Sequence, residues 1–388
     1  MLADSVPIYP LYALLFADAG LSVAQISSLF VVWSLVGIVA EVPTGALADR
    51  FSRRLALAAA GVFQAAGYGL WIAFPGYAAF AAGFVLWGLG GALGSGALEA
   101  LLYDAMAVAG AENHYPRIYG RVSAARLLSQ VPAALAATVL FSTGGYDVVG
   151  WASVACCLSA AAVATRLPDA RGPDARIPGP DDEGPDDDGR DDDETIAVAG
   201  YLDVVRRGLV EAARCPAVWT ALVAVALVGS LDGLEEYFSV LAQDWGVATP
   251  LVPLVLLAVP LMGAAGAALG GRPHRLRRRG LAALLASAVA VMAGAGLLRR
   301  PVGVVGVAVA YGLYRFVLVG AETALQQRIT GQARATVTSV AALGTDVTGV
   351  AIYGAWASNQ PALVTGLALA IAAALPWLLR PRPPGRIG

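Results

Sequence analysis

Lysine is missing from this chain: all 26 basic residues are arginine. Charge of either sign is scarce, at 14 % of 388 residues, against about 25 % in soluble domains. A soluble enzyme needs a polar skin, and so few charges cannot supply one. A net charge of -2 offers no general attraction to phosphate, so no nucleic-acid partner is expected. The three cysteines, Cys156, Cys157 and Cys215, have no paired spacing, which excludes a disulfide framework and a zinc site. His114 and His274 both fall in polar loops, so a histidine-based metal or hydrolase site is not expected either. No phosphate-binding loop of the form Gly-x-x-x-x-Gly-Lys-Ser/Thr occurs. The chain reads as neither an enzyme nor a holder of a cofactor or metal.

What it has is apolar length. Apolar residues make up 58 %. A bilayer core of about 30 Å takes about 20 apolar residues in a helix. Twelve such runs occur, near 1–18, 24–48, 54–74, 77–105, 122–143, 146–165, 217–243, 249–270, 280–298, 301–325, 333–357 and 361–380. The first is short and opens at Met1, and no basic segment precedes it as in a cleaved signal. With both termini in the cytoplasm, only Arg299 and Arg300 face outside and Arg126 and Arg315 fall within runs; the other arginines all lie inside. The positive-inside rule selects that topology. The expected fold is therefore an all-α, multi-pass integral membrane protein of the plasma (inner) membrane with twelve transmembrane helices.

A polar segment, 166–216, divides the runs six and six, giving bundles 1–165 and 217–388. Residues 181–194 hold ten acids among Gly, Pro and Arg, a composition that cannot bury a core. The acids lack the EF-hand spacing, so a solvated linker is the better reading than a calcium loop. Val198, Leu202, Val205 and Leu209 then recur at helical spacing, with Arg206 and Arg207 between, as in an amphipathic helix on the inner membrane face. An internal repeat is suggested by Gly96, Ala97 and Glu99 in the fourth run and Gly320, Ala321 and Glu322 in the tenth. Two six-helix halves of that kind match a common transporter plan.

An ionisable side chain within a span costs at least about 2.5–3.5 kcal/mol, so each needs a reason. Counted at about 1.5 Å per residue, Asp232 lies about 22 Å along the seventh run, Asp346 about 18 Å along the eleventh and Arg315 about 20 Å along the tenth. Asp232, Glu235 and Glu236 stand at i, i+3 and i+4, which on an α-helix is one face. Three carboxylates on one face repel one another when all are ionised, and a proton relieves that repulsion. Tyr311 and Arg315 share a face of the tenth run, with Glu322 two turns below, and an Arg315–Asp346 ion pair is possible in one state. In the first half, Glu99 and Arg126 fall at similar depths and can pair, and Glu41 sits just above Pro43, which permits a kink. The plainer readings are static ion pairs, helix 7 acids at an outer mouth, and gating contacts. For Gly90 with Gly94 and Gly266 with Gly270, close helix packing is sufficient. Trp33, Trp71, Trp87, Tyr9 and Tyr12 could line a cavity, though aromatics at such depth are more often packing.

Between the second and third runs stand Gly45, Leu47, Ala48, Asp49, Arg50, Ser52, Arg53 and Arg54. This resembles the major facilitator superfamily signature Gly-x-Leu-Ala-Asp-Arg-x-Gly-Arg-Arg/Lys, with Ser52 in place of the second Gly. Ser52 must then avoid positive φ or occupy it at a cost. Glu41, Pro43 and Gly45 before it, and Arg334 to Ser339, are similar to bacterial drug-efflux permeases. The resemblance implies two six-helix bundles, alternating access, a monomer and a cytoplasmic latch. Asp49 would meet the start of the eleventh helix near Arg334 to Thr336, where a helix N-terminus attracts an anion. Arg53 would meet Asp104. The plainer reading is that these charges only keep the two helices out of lipid. The fifth run keeps Pro132 but replaces the antiporter glycines, and the loop after Gly266 and Gly270 has no Asp.

Acids outnumber Arg126 and Arg315 at membrane depth, and such a cavity suits a lipophilic cation. The reading from sequence is a secondary transporter in a lipid bilayer that takes a small-molecule substrate and protons, exporting a drug-like compound. A proton-coupled importer of a metabolite and a non-transporting membrane sensor are the alternatives.

Overall fold

A computed structural model describes residues 5–50, 52–108, 115–167, 215–271, 277–329 and 334–380. Side chains are described there except at 41–50, 95–96, 98–100, 103–105, 107–108, 115–117, 119–120, 123–124, 126–127 and 334–336. Every regular element among these residues is helical, as lipid requires, because only internal hydrogen bonds can satisfy a backbone there. In chain order these are α1 (Tyr12–Asp18), α2 (Val23–Arg50), α3 (Arg53–Ala73), α4 (Tyr77–Val108) and α5 (Tyr115–Ala164). Then come α6 (Pro216–Gly229), a 3₁₀ turn (Ser230–Tyr237), α7 (Phe238–Asp244), a second 3₁₀ turn (Thr249–Leu251), α8 (Val252–Leu256) and α9 (Ala258–Gly270). The last four are α10 (Arg278–Leu298), α11 (Gly303–Gln326), α12 (Arg334–Ala357) and α13 (Pro361–Leu378).

Ten segments among the described residues are long and apolar enough to cross a membrane. The difference from twelve has two local causes. In the first run, Pro7 and Pro10 each remove a backbone N–H, and turns occupy 7–11 before α1 begins. The fifth and sixth runs join in α5, whose helical geometry breaks at Gly144 and Gly145. Gly145 has φ 61°, a conformation that side chains with a Cβ rarely adopt. The eighth run is broken as well: Pro250, Pro253 and Pro260 divide it into a 3₁₀ turn, α8 and α9.

Contacts divide the chain into two units, one holding Leu35–Ala133 and the stretch from Gly150, the other Pro7–Ser34, Ala134–Val149 and the residues from Val204 on. In the first unit, α3 and α4 pack through Ala56, Ala60, Leu93 and Ala97. Trp71 is fully buried, donates its indole N–H to the Phe80 carbonyl at 3.1 Å, and packs on Tyr68 and Phe84. It is core, not cavity lining. Ser52, at the signature position, has φ -170°, extended backbone open to any residue, so serine replaces glycine there without strain.

In the second unit, Val228, Leu285, Val317, Ile352 and Leu375 join α6, α10, α11, α12 and α13 in one core. The closest approach is between α9 and α11. A Cβ on Gly266 would overlap the Gly312 carbonyl, and one on Gly312 would lie 2.8 Å from the Met262 carbonyl oxygen. Small residues let the two backbones touch, and the contact sits beside Tyr311 and Arg315. At the other end of α11, Arg328 donates to the Ala217 carbonyl at 2.9 Å, and to those of Leu378 at 3.4 Å and Arg380 at 3.3 Å. It thereby joins the start of α6 to the end of α13, where carbonyls lack helical partners.

Two outcomes follow from this packing. Gly266→Ala forces α9 and α11 apart at a cost of about 1–3 kcal/mol, and lowers the melting midpoint of the purified protein. Gly294→Ala, which meets open space in a helix interior, does not lower it. Arg328→Ala loses charge-assisted bonds worth about 1.5–3 kcal/mol each when well buried. Arg328 is only partly buried, so the expected loss is about 1 kcal/mol, read as a smaller drop in the same midpoint.

Candidate functional site

The seventh run does not form a continuous α-helix. Gly229, Ser230, Asp232 and Gly233 are poor helix formers in sequence, and the Ser230 hydroxyl bonds back to the Leu227 carbonyl at 2.8 Å. From Ser230 to Tyr237 the backbone tightens to a 3₁₀ helix. With three residues per turn, Asp232 and Glu235 eclipse each other, while Glu236 is rotated away. The expectation that all three acids share a face is therefore corrected: two do, and the third turns to a different neighbour.

Asp232 and Glu235 both meet Tyr311 of α11. The Tyr311 hydroxyl lies 3.0 Å from Asp232 Oδ1 and 2.8 Å from Glu235 Oε2. A phenol has a single proton to donate. Arg315, one helical turn along α11, places Nη1 3.9 Å from the same Asp232 oxygen. Neither partner is buried, the Arg315 and Asp232 side chains being 34 % and 45 % exposed. The Tyr314 hydroxyl donates to the Gly229 carbonyl at 3.3 Å, and Phe238 sets its ring edge-on to Tyr311. Together they hold the turn against α11.

Glu236 accepts a hydrogen bond from the Tyr12 hydroxyl of α1. Beside it the Tyr237 hydroxyl is 2.8 Å from Ser27 Oγ on α2. Tyr12, Ser27 and Tyr237 are contacts that the sequence pattern does not single out; Tyr12 there is one aromatic among several.

The other candidates separate into two groups. Glu322 of α11 and Asp346 of α12 are exposed within their spans. The ion pair that Arg315 makes here is with Asp232, where the sequence suggested Asp346. The side chains of Glu41, Glu99 and Arg126 lie outside the described residues. So do those of Gly45, Asp49, Arg50, Asp104 and Arg334 to Thr336, and with them the contacts of the latch; Arg53 and Arg54 begin α3. The acidic stretch 181–194 and the amphipathic segment after it also lie outside. Among the described residues, no three His, Cys, Asp or Glu side chains are grouped to hold a metal ion.

Comparison with known proteins agrees with this architecture. A D-xylose–proton symporter structure is similar over 96 % of this chain and 93 % of its own, with 13 % identity and a TM-score of 0.65. The nucleoside transporter NupG matches over 98 % of both chains, with 11 % identity and a TM-score of 0.69. A peptide transporter POT in complex with alafosfalin covers 97 % of this chain and 90 % of its own, with 16 % identity and a TM-score of 0.70. At such identities these likenesses show the fold. No curated protein matches the sequence. The family model described as Major Facilitator Superfamily matches residues 1–353. This multi-pass membrane protein is thus a transporter rather than an enzyme, and the chain belongs to the Major Facilitator Superfamily.

Proposed function

We propose that the chain is a proton-coupled secondary transporter that works by alternating access and exports a lipophilic cation. On this reading twelve spans form bundles 1–165 and 217–388 in the plasma membrane, with both termini cytoplasmic and the monomer as the working unit. Glu41, Glu99, Arg126, Glu322 and Asp346 belong to the substrate and proton path, and Asp49, Arg53 and Asp104 to the cytoplasmic latch.

The observation that carries the reading is the Tyr311 hydroxyl between two carboxylates. With both carboxylates ionised, one proton serves two acceptors and one contact is left without a hydrogen. One added proton completes the chain. Arg315 stands against Asp232, so the added proton belongs on Glu235. Glu235 then donates to the Tyr311 oxygen, and Tyr311 donates to ionised Asp232. In that state Asp232 and Arg315 offset each other. When the proton leaves, the group carries one net negative charge, which a monovalent cation can neutralise as the proton did. Proton and cation then compete for one carboxylate, the exchange that proton-driven export requires. The half-open Asp232 and Arg315 side chains give water and substrate access to the pair.

The test uses inside-out vesicles with an acidic lumen and tetraphenylphosphonium as the probe. Adding the probe releases lumenal protons with the unmodified protein. Glu235→Gln abolishes that release, because an amide has no proton to exchange in this range, while probe binding becomes independent of pH. Tyr311→Phe keeps the ring and weakens coupling, with the pH at half-maximal binding displaced. Undiminished proton release by Glu235→Gln overturns the assignment. Proton movement only when a metabolite is supplied from the opposite side identifies an importer instead.

A further inference from the structure

The 3₁₀ turn places its two adjacent glutamates on different neighbours, and we infer that they do different work: Glu236 holds the outer gate through Tyr12 and carries no transported proton. This rests on the reading of Glu235 as the proton carrier.

The surroundings of Glu236 are those of a closure. Tyr12 is only 3 % exposed and donates to the carboxylate. Phe30 of α2 is fully buried, with ring centroids 6.1 Å from Tyr12, 5.4 Å from Tyr237 and 5.6 Å from Tyr353. Tyr237 stacks on Trp356 at 4.5 Å with planes 20° apart, and its hydroxyl meets Ser27. These groups come from the α1–α2 corner, the end of the 3₁₀ turn and the last two turns of α12. In the proposed topology all three lie at the outer membrane face. Among the described residues, the ionisable groups facing Glu236 are Tyr12 from α1, Tyr353 from α12 and Tyr237 on its own turn. None of these is basic.

The contrast with Glu235 is one of surroundings. Glu235 accepts from the Tyr311 hydroxyl, which also meets Asp232, the carboxylate that the half-exposed Arg315 pairs with. Glu236 accepts from a buried phenol inside an aromatic plug, where a hydrogen bond contributes more than it does in water. Both sit on one short 3₁₀ segment, a form that in mid-helix often marks a hinge. Proton loss at Glu235 loosens the grip of Tyr311 on the turn. The turn then carries Glu236 with it, and the Tyr12 contact is what opens or closes the α1–α2 corner.

The experiment replaces Cys156, Cys157 and Cys215 with Ala and adds Ile26→Cys. Ile26 is 3 % exposed and lies one helical turn before Phe30. Intact cells are treated with a membrane-impermeant maleimide. Tyr12→Phe and Glu236→Gln each raise the labelling rate up to about tenfold, the upper end of what the loss of one hydrogen bond gives. Both variants still release protons when tetraphenylphosphonium is added to inside-out vesicles. Tyr12→Phe keeps its ring and packing, so it carries the test if Glu236→Gln does not fold. Unchanged labelling in Tyr12→Phe overturns the gate. Loss of proton release in Glu236→Gln with unchanged labelling overturns it too, and makes Glu236 a carrier. Raised labelling together with normal proton release in Glu235→Gln leaves the gate standing and removes the proton assignment.

Discussion

Hydrocarbon offers a charge nothing to bond with, and that constraint organises this molecule. Asp232, Glu235 and Arg315 remain in a span because α11 brings an arginine and a phenol to the two acids. That approach depends on backbone contact elsewhere. Gly266 and Gly312 let α9 lie directly against α11, next to the turn that carries Tyr311 and Arg315. On the opposite side Tyr314 ties α11 to the Gly229 carbonyl at the start of the 3₁₀ turn. The site is thus positioned by packing of uncharged groups, and its charges need not supply the fold's stability.

The 3₁₀ turn is the other determinant. Four residues on an α-helix bring a side chain back to within about 40° of its starting direction. Four residues of 3₁₀ helix leave it about 120° away. That difference moves Glu236 from the α11 side to Tyr12. A local change of helical pitch, encoded by serine, aspartate and glycine in one short stretch, gives two adjacent and chemically identical residues different neighbours.

Much of this was legible in the residues. The apolar runs, the scarcity of charge and the signature around Asp49 together point to the family. Tyr311 and Arg315 stand four apart, which any α-helix places on one face. The pitch of the seventh span was not legible, because i, i+3, i+4 spacing is the mark of an α-helix and Asp232, Glu235 and Glu236 meet it. Pairing between distant segments, such as Tyr12 with Glu236 or Ser27 with Tyr237, leaves no periodic trace. The shortness of α1 could have been foreseen from Pro7 and Pro10, each of which lacks the backbone N–H that a continuous helix uses.

The single hydroxyl of Tyr311 has an electrical consequence. On the proposed exchange, the cluster takes up one proton per turnover, and a monovalent cation leaves in its place. Equal charges then cross in opposite directions. Moving one net charge through the membrane potential is worth about 2.3 kcal/mol per 100 mV, and an equal exchange neither gains nor loses that amount. Such a carrier is deaf to voltage and responds to the pH gradient alone, so it continues to work in a cell whose membrane is depolarised but whose cytoplasm remains alkaline.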